Sequence, residues 1–467
     1  MSHTGRPAGT SAPEPALRRT PPGPPRRALP GIFVRLVRDR LGLMSSAVAQ
    51  YGDAVRVSLP PKLLYIFNHP DHAKHVLADN SANYHKGIGL AQARRVLGDG
   101  LLTSEGDLWR DQRTTIAPAF QSNRIARQAT VVAEEAASLV GRLQAHQGGA
   151  PVEVMSELTR FALGVLGRTL LDADLGAFAS IGHAFEAVQD QAMFEMVSLS
   201  MMPLWLPLPG HLRFRRARGQ LREVADRLVI NHGAINHGAI NHGGADDVLS
   251  RLIAAARQAP DPVAGDQRLR DELITLLLAG HETTASTLGW ALHLINAHPR
   301  VQARLHAEAV EVLGDRMPGY DDLHRLTYTT SVIQEVMRLY PPVWMLSRQA
   351  QAEDEVGGYH VPAGADVLIC PYTLHRHPAY WDDPDRFDPD RFDAGRAARR
   401  PRYAYIPFGA GPRFCVGNNL GMLEATFALS LMARECRFAT VPGYQVVPEP
   451  MLSLRIRGGL PMTVHPA

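Results

Sequence analysis

The run Phe408-Gly409-Ala410-Gly411-Pro412-Arg413-Phe414-Cys415-Val416-Gly417 sets a single cysteine just ahead of a helix-like stretch, Asn418 to Ala433. Its glycines let backbone approach a bound group with no Cβ in the way. A cysteine at a helix N-terminus feels the positive end of the dipole, which lowers its pKa and favours the thiolate. Thiolates attack electrophiles or bind metals, and one cysteine ligand without a nearby histidine suits haem iron better than zinc. The plainer use of such a residue is as a buried structural cysteine. Cys370, in an apolar strand-like run, and Cys436, late in a helix, take that plainer use.

Two further groups carry charge or hydroxyls at helical spacing. Glu335 and Arg338 stand three residues apart, ahead of Pro341-Pro342. Ile333, Val336, Met337 and Tyr340 mark the apolar face, so the pair on its own reads as a solvated one worth about 0.3–0.5 kcal/mol. Ala279-Gly280-His281-Glu282-Thr283-Thr284 interrupts an apolar segment from Leu269 to Ala297. A glycine in mid-helix costs roughly 1 kcal/mol relative to alanine. The Thr283 hydroxyl can bond back to the Ala279 carbonyl and open the helix locally.

The elements that must position these residues follow from pattern. The 467 residues are 45% hydrophobic and 20% charged, enough apolar material for a sizeable core. A net charge of +3 argues against nucleic-acid binding. Three widely spaced cysteines exclude a disulfide scaffold or a multi-cysteine zinc site and fit a reducing, cytoplasmic setting. Lys62, Lys74 and Lys86 are the only lysines, leaving 46 of the 49 basic residues as arginine, a compositional bias. Met1 to Pro30 reads as a flexible Pro- and Arg-rich tail, followed by one domain over residues 31–467. Met196 to Pro209, the nearest approach to a membrane span, is too short and is broken by prolines. Ala54–Leu59 and Leu63–Asn68 alternate like paired strands, and Asn123 to Tyr340 is mainly helical. Short strands close the chain from Arg437. An Asn-His-Gly repeat over residues 231–245 reads as an expanded loop, its His232, His237 and His242 five apart and on different helical faces.

The run Phe408 to Gly417 resembles the haem-binding loop of the cytochromes P450 at Phe408, Gly411, Arg413, Cys415 and Gly417. The resemblance extends from about Pro30 to the C-terminus. It implies a mainly α fold with a minor β region, a large helical haem-enclosing domain with small antiparallel sheets. Cys415 then ligates the iron of haem b, and Phe408, Arg413 and Gly417 belong to the cofactor loop. Trp109 and Arg113, in a Trp-x-x-x-Arg pattern, and Arg348 become haem-contacting residues, with the arginines and Arg413 on the propionates. Glu335 and Arg338 join Arg391 of Pro389-Asp390-Arg391-Phe392 in a structural triad. Glu282 and Thr283 match the family's acid–alcohol pair in the long distal helix, implying dioxygen orientation and proton delivery. Gly421 departs from the family's usual alanine, which suggests looser helix packing there.

The activity implied is insertion of one oxygen atom of O2 into a hydrophobic small molecule such as a terpenoid, fatty acid or polyketide. The family's substrate regions map onto segments holding Met193, Met196, Ala279, Val343, Trp344, Met345 and Leu452, with Phe194, Met201, Met202, Trp205 and Met451 nearby. Methionine and aromatics make an adaptable apolar cavity. A monomer taking electrons from a separate ferredoxin or flavodoxin with its NAD(P)H-dependent reductase is expected, docked near Arg396, Arg399, Arg400 and Arg402. Two alternatives stand beside it: a peroxide-driven peroxygenase, which usually lacks the acid–alcohol pair, and a non-catalytic haem-binding protein.

Overall fold

The computed structural model describes residues 19–175, 181–198, 200–238 and 247–467, without the side chains of 233–238. The helices in chain order are α1 (Leu29–Arg38), α2 (Arg40–Tyr51), α3 (Pro70–Lys74), α4 (Leu90–Leu97), α5 (Gly106–Ile116), α6 (Ser122–Gln144), α7 (Val154–Leu166) and α8 (Ile181–Val197). They continue as α9 (Pro209–Gly238), α10 (Val248–Arg257), α11 (Pro262–Asn296), α12 (Pro299–Leu313), α13 (Thr327–Leu339), α14 (Pro371–Leu374), α15 (Ala394–Ala397) and α16 (Asn418–Glu435). The central element is α11. Its 35 residues span about 53 Å at 1.5 Å per residue, with Pro262 at the first position and the Asp261 carboxylate accepting from the Val263 N–H at 3.0 Å. It is apolar around most of its circumference because α7, α13 and α16 pack on it from several sides. Gly280 has a packing reason: a Cβ there would lie 2.8 Å from Leu166 Cδ1 of α7.

Strands β1 (Ala54–Leu59), β2 (Lys62–Phe67), β3 (Tyr84–Lys86), β5 (Leu346–Ala350) and β8 (Asp366–Ile369) form one sheet in the order β1-β2-β8-β5-β3. The β2–β8 pairing is parallel and the other strand pairs of this sheet are antiparallel, as expected for the small sheets. The β3–β5 register sets Lys86 directly opposite Arg348. Strand β4 (Val152–Glu153) pairs with the C-terminal β12 (Pro461–Pro466), which also pairs with β9 (Cys436–Thr440). Two small hairpins, β6 (Asp354–Val356) with β7 (Tyr359–Val361) and β10 (Pro448–Pro450) with β11 (Leu454–Ile456), complete the β structure.

Two expectations change. The tail boundary drawn at residue 30 falls inside α1, and the chain is already fixed from Arg19. The Arg19 and Pro22 carbonyls accept from the His360 and Arg56 N–H groups at 2.9 Å each. Proline donates nothing, but its carbonyl still pairs with a neighbouring chain. Residues 1–18 lie outside the described residues. The first Asn-His-Gly unit is helical, since α9 runs on to Gly238. His232 is buried in that helix, with its Nε2 at 2.8 Å from Ser250 Oγ. His237 and His242 fall outside the described side chains.

Candidate active site

The cysteine loop is shaped by backbone. Gly409 and Gly411 adopt φ of 73° and 68°, the left-handed region that glycine enters without penalty. A Cβ at Gly411 would lie 1.9 Å from the Leu77 carbonyl oxygen, so only glycine fits that approach. The Cys415 N–H donates to the Phe408 carbonyl at 2.9 Å and closes the loop. Phe408 packs against the main core, 6.3 Å from the Phe414 ring. Cys415 lies three residues before α16, whose N-cap is Gly417, so it stands beyond the cap itself. Burial pushes its thiol up, against the lowering expected from the helix dipole; the Gly417 N–H bonded to it and the Arg113 charge pull it down by less. Desolvation therefore outweighs the two local groups that favour the thiolate. Cys415 also retains free surface.

The triad is assembled. Glu335 and Arg338 are both fully buried, so the solvated reading of that pair fails. Arg338 Nε and Nη2 donate to Glu335 Oε2 and Oε1 at 2.7 and 2.8 Å. Its remaining donors reach the carbonyls of His375, Pro384 and Arg386 at 2.6–3.0 Å. Glu335 Oε1 also accepts from the Asp388 N–H at 2.9 Å and lies 3.5 Å from Arg391 Nε. The pair thereby pins residues 375–391, the approach to the cysteine loop. His375 continues the chain of contacts: burial, then the Arg338 and Arg376 charges, push its ring down to about 3, and neutral Nε2 accepts the Ile406 N–H at 2.9 Å. Arg400 stacks 3.7 Å over Trp381, and its Nη2 donates to the Arg391 carbonyl. It supports this network and leaves the expected docking set, where Arg396, Arg399 and Arg402 remain exposed.

On α11 the Thr283 hydroxyl donates to the Ala279 carbonyl at 3.0 Å, the back-bond expected from sequence. Glu282 Oε1 accepts from Ser453 Oγ at 2.6 Å. Ala279 is exposed although Leu273 to Leu278 before it are all buried. Thr284 donates to Glu424 Oε2 of α16 at 2.8 Å, tying the helix of the acid–alcohol pair to the helix behind Cys415. A Cβ at Gly421 would meet only Thr284 Oγ1, at 4.0 Å, so alanine would fit and the glycine leaves that space open.

A cationic rim completes the site. Lys86 and Arg348 are buried and face one another across β3 and β5, a like-charged pairing that is unfavourable unless something anionic answers it. Lys86 Nζ donates to the Leu101 and Ser104 carbonyls at 2.9 and 2.6 Å, and burial pushes its amine down to about 7. Arg348 donates to the Ser347 carbonyl at 2.8 Å. Burial, then the charge of Arg413, lowers Arg348 to about 10. Arg413 spans the Tyr84 carbonyl at 2.8 Å and Glu105 Oε2 at 2.5 Å, with its guanidinium 5.4 Å from the Trp109 ring. Its buried Nε has no hydrogen-bond partner among the described residues. Arg113 has no carboxylate partner among them either. This surplus of buried cations over Glu105 fits a bound group carrying carboxylates, as haem propionates would. Lys86, Glu105 and Ser453 were missed from sequence. The signal for Lys86 was its rarity, a lysine in a chain that otherwise uses arginine.

The substrate residues divide. Met193 and Met196 of α8 form a small buried cluster with Met451, and Ile88 and Val197 pack on it. Val343, Met345 and Leu452 are half-buried. Trp344 is corrected: it lies in the core with Leu41, Ile66, Leu368 and Cys370, and its Nε1 donates to the Met451 carbonyl at 2.9 Å. An indole buried with its N–H satisfied is a structural anchor. Phe194, Met201, Met202 and Trp205 are exposed and do not line an enclosed cavity.

A single cysteine ahead of a helix, with unanswered cations nearby, is compatible with a haem-thiolate site. The family model for "Cytochrome P450" matches residues 21–461, and the chain belongs to that family. Cyclooctatin synthase of Streptomyces melanosporofaciens is 37% identical over 448 residues, covering 95% of this chain and 96% of its own length. Cyclooctat-9-en-7-ol 5-monooxygenase of the same organism is 36% identical over 465 residues, 98% of each chain. Pentalenene oxygenase of Streptomyces avermitilis is 31% identical over 416 residues, 89% of this chain and 90% of its own. The protein is accordingly an oxygen-incorporating oxidoreductase with haem as cofactor, acting on a hydrophobic small molecule with O2 and a redox partner. No described helix is long and apolar enough to cross a membrane.

Proposed function

We propose that the substrate is a polycyclic terpene or terpene alcohol. The observation that carries this reading is the buried cluster of Met193, Met196 and Met451, a small group apart from the larger cores. Unbranched thioethers adapt to irregular fused rings better than rigid side chains do. The names of three relatives, built on cyclooctatin, cyclooctat-9-en-7-ol and pentalenene, support it. Ala279, Val343, Met345 and Leu452 complete the wall in this reading.

Bound haem supplies the electron-accepting and oxygen-activating chemistry. Cys415 holds it as thiolate, with the Gly417 N–H on the sulfur tuning the site. Arg113, Arg348 and Arg413, with Lys86 and Trp109, receive the propionate side, and Phe408 and Gly417 frame the loop. Thr283 spends its one donor on the Ala279 carbonyl, so its oxygen keeps acceptor capacity to orient dioxygen or a water beside it. Glu282 is fixed through Oε1 by Ser453, leaving Oε2 to pass protons to water. Glu335, Arg338 and Arg391 have no part in the reaction and hold the cysteine loop in place. Electrons come from a ferredoxin or flavodoxin at the exposed Arg396, Arg399 and Arg402, a basic surface suited to an acidic partner. Three free cysteines are consistent with a reducing cytoplasm. The enzyme works as a monomer, which sedimentation velocity checks.

Spectral titration tests the substrate class. Di- and tricyclic terpene alcohols should give saturable spin-state shifts; saturation by fatty acids of equal carbon number alone overturns the reading. Turnover with peroxide matching turnover with ferredoxin, reductase and NADPH would favour a peroxygenase.

A further inference from the structure

Glu272 lies in α11, only 2% exposed, and neither of its carboxylate oxygens completes a hydrogen bond among the described residues. Its neighbour Asp271 is satisfied, accepting from the Asp99 N–H at 2.9 Å and from Gln267 Nε2 at 2.6 Å. Thr275, one turn on from Glu272, also has a buried hydroxyl without a partner among them. The turn that carries Gly100 and Leu101 lies flush against this face. A Cβ at Gly100 would stand 2.1 Å from Thr275 Oγ1 and 2.7 Å from the Asp271 carbonyl oxygen. A carboxylate shut away from water in this way stays ionised only where a cation answers it.

Lys86 is that cation. Its Nζ gives two protons to the Leu101 and Ser104 carbonyls and keeps the third. Leu101 serves both groups, its carbonyl taken by Lys86 and its N–H favouring the charge of Glu272. Two carboxylates act on the ammonium, Glu105 and Glu272. Glu105 is committed, Oε1 to the Lys86 N–H and Oε2 to Arg413 Nη2, at 2.5 Å each. Glu272 alone of the two keeps both oxygens uncommitted. Burial pushes its carboxyl up to about 7, and the Leu101 N–H and the Lys86 charge pull it down by less. Without Lys86 it would be a neutral acid; beside the ammonium it is a counter-charge. We propose that Glu272 is a positioning residue for the cofactor: acting through Lys86, it sets how much net positive charge the β3–β5 rim offers the haem carboxylates, and with it the reduction potential of bound haem. The inference rests on the reading that Lys86, Arg348 and Arg413 receive the propionate side. Ferric haem carries one positive charge more than ferrous haem, so a fixed cation nearby favours the ferrous form. Lys86 acts in that direction, and an ionised Glu272 offsets it.

Redox titration of the haem-loaded chain tests this. Glu272→Gln should raise the ferrous-to-ferric ratio at a fixed applied potential roughly threefold to tenfold, and Lys86→Met should lower it by a similar factor. In the Lys86→Met background, Glu272→Gln should change the ratio by less than about twofold, since burial has already neutralised the acid there. Glu272→Asp, which keeps the charge, should stay within about twofold of the parent. A Glu272→Gln shift that persists undiminished without Lys86 overturns the proposal, as does a parent-like ratio in Glu272→Gln when Lys86→Met moves it. A Lys86→Met chain with the parent's ratio instead refutes the propionate reading, and the proposal with it. Loss of the thiolate-type carbon-monoxide band in Glu272→Gln, restored in the double variant, supports the coupling; loss in both overturns it in favour of packing alone.

Discussion

Replacing Glu335 with glutamine would remove the one carboxylate that faces three guanidinium groups. Arg338 gives it two bonds, Arg391 approaches to 3.5 Å, and Arg400 feels its charge. Glutamine keeps the shape but turns one acceptor into an NH2 aimed at the Arg338 donors. Both members of the central pair are fully buried, so the stranded charge has no water to answer it. Breaking such a pair costs about 3–5 kcal/mol, a loss of roughly two to nearly four powers of ten in the folding equilibrium. Arg391→Gln should cost less, about 1–2 kcal/mol, because it gives up one 3.5 Å contact and one bond to the Asp383 carbonyl while Arg338 still holds Glu335. Guanidinium unfolding followed by far-ultraviolet dichroism and by haem absorbance measures both. Haem loss should precede loss of helix, because the network pins residues 375–391 rather than α11. An Arg391→Gln cost equal to that of Glu335→Gln, or a Glu335→Gln cost below about 1 kcal/mol, would refute this account.

Other expectations follow from single contacts. Cys415→Ser should leave the helical dichroism intact and abolish the thiolate-type band of the reduced carbon-monoxide difference spectrum; survival of that band would exclude Cys415 as ligand. Burial pushes the Glu424 carboxyl up to about 8, so between pH 4.5 and 8 the folded chain binds a proton that the unfolded chain does not, and stability falls as pH rises. Glu424→Gln should flatten that slope in unfolding curves at pH 5 and 8, and parallel profiles for parent and variant would contradict it. Lys86 has the opposite sign: its amine, lowered to about 7, leaves the unfolded chain holding the extra proton from pH 7 to 10.5, so stability of the haem-free chain rises with pH and Lys86→Met should remove the rise. Gly280→Ala should destabilise by about 1 kcal/mol, since crowding against Leu166 exceeds the helix-propensity gain; a more stable variant in thermal unfolding would show that α7 yields freely.

Sequence pattern exposed the parts of the site that are local. The glycines of the cysteine loop, the back-bond of Thr283 and the long apolar course of α11 all follow from residues within a few positions of one another. Legibility ended where a role depends on chain brought from far away. Glu335 and Arg338 look solvent-facing on a helical wheel, because nothing near them announces that residues 375–391 will fold over that face and supply three carbonyls. Trp344 looks like a pocket aromatic until the Met451 carbonyl, 107 residues later, takes its N–H. Cys415 looked poised as a thiolate because a dipole can be read from a helix boundary, whereas desolvation depends on the whole enclosing fold.

Lys86 shows how composition can point to what local pattern conceals. If the arginine excess were a bias applied evenly, the surviving lysines would be incidental. Two of the three are tied to specific buried partners: Lys62 to Asp366, and Lys86 to the Leu101 and Ser104 carbonyls. A compact ammonium reaches two carbonyls inside a tight loop, while a planar guanidinium spreads its donors over a wider fork. Arg348 already fills the place across the strand pair and Arg413 the place beyond Glu105. A third guanidinium would need space that the Leu101–Ser104 turn occupies. Shape as well as charge therefore keeps lysine at position 86, and in the proposed reading its ammonium would add to the positive charge that Arg348 and Arg413 offer a carboxylate-bearing cofactor.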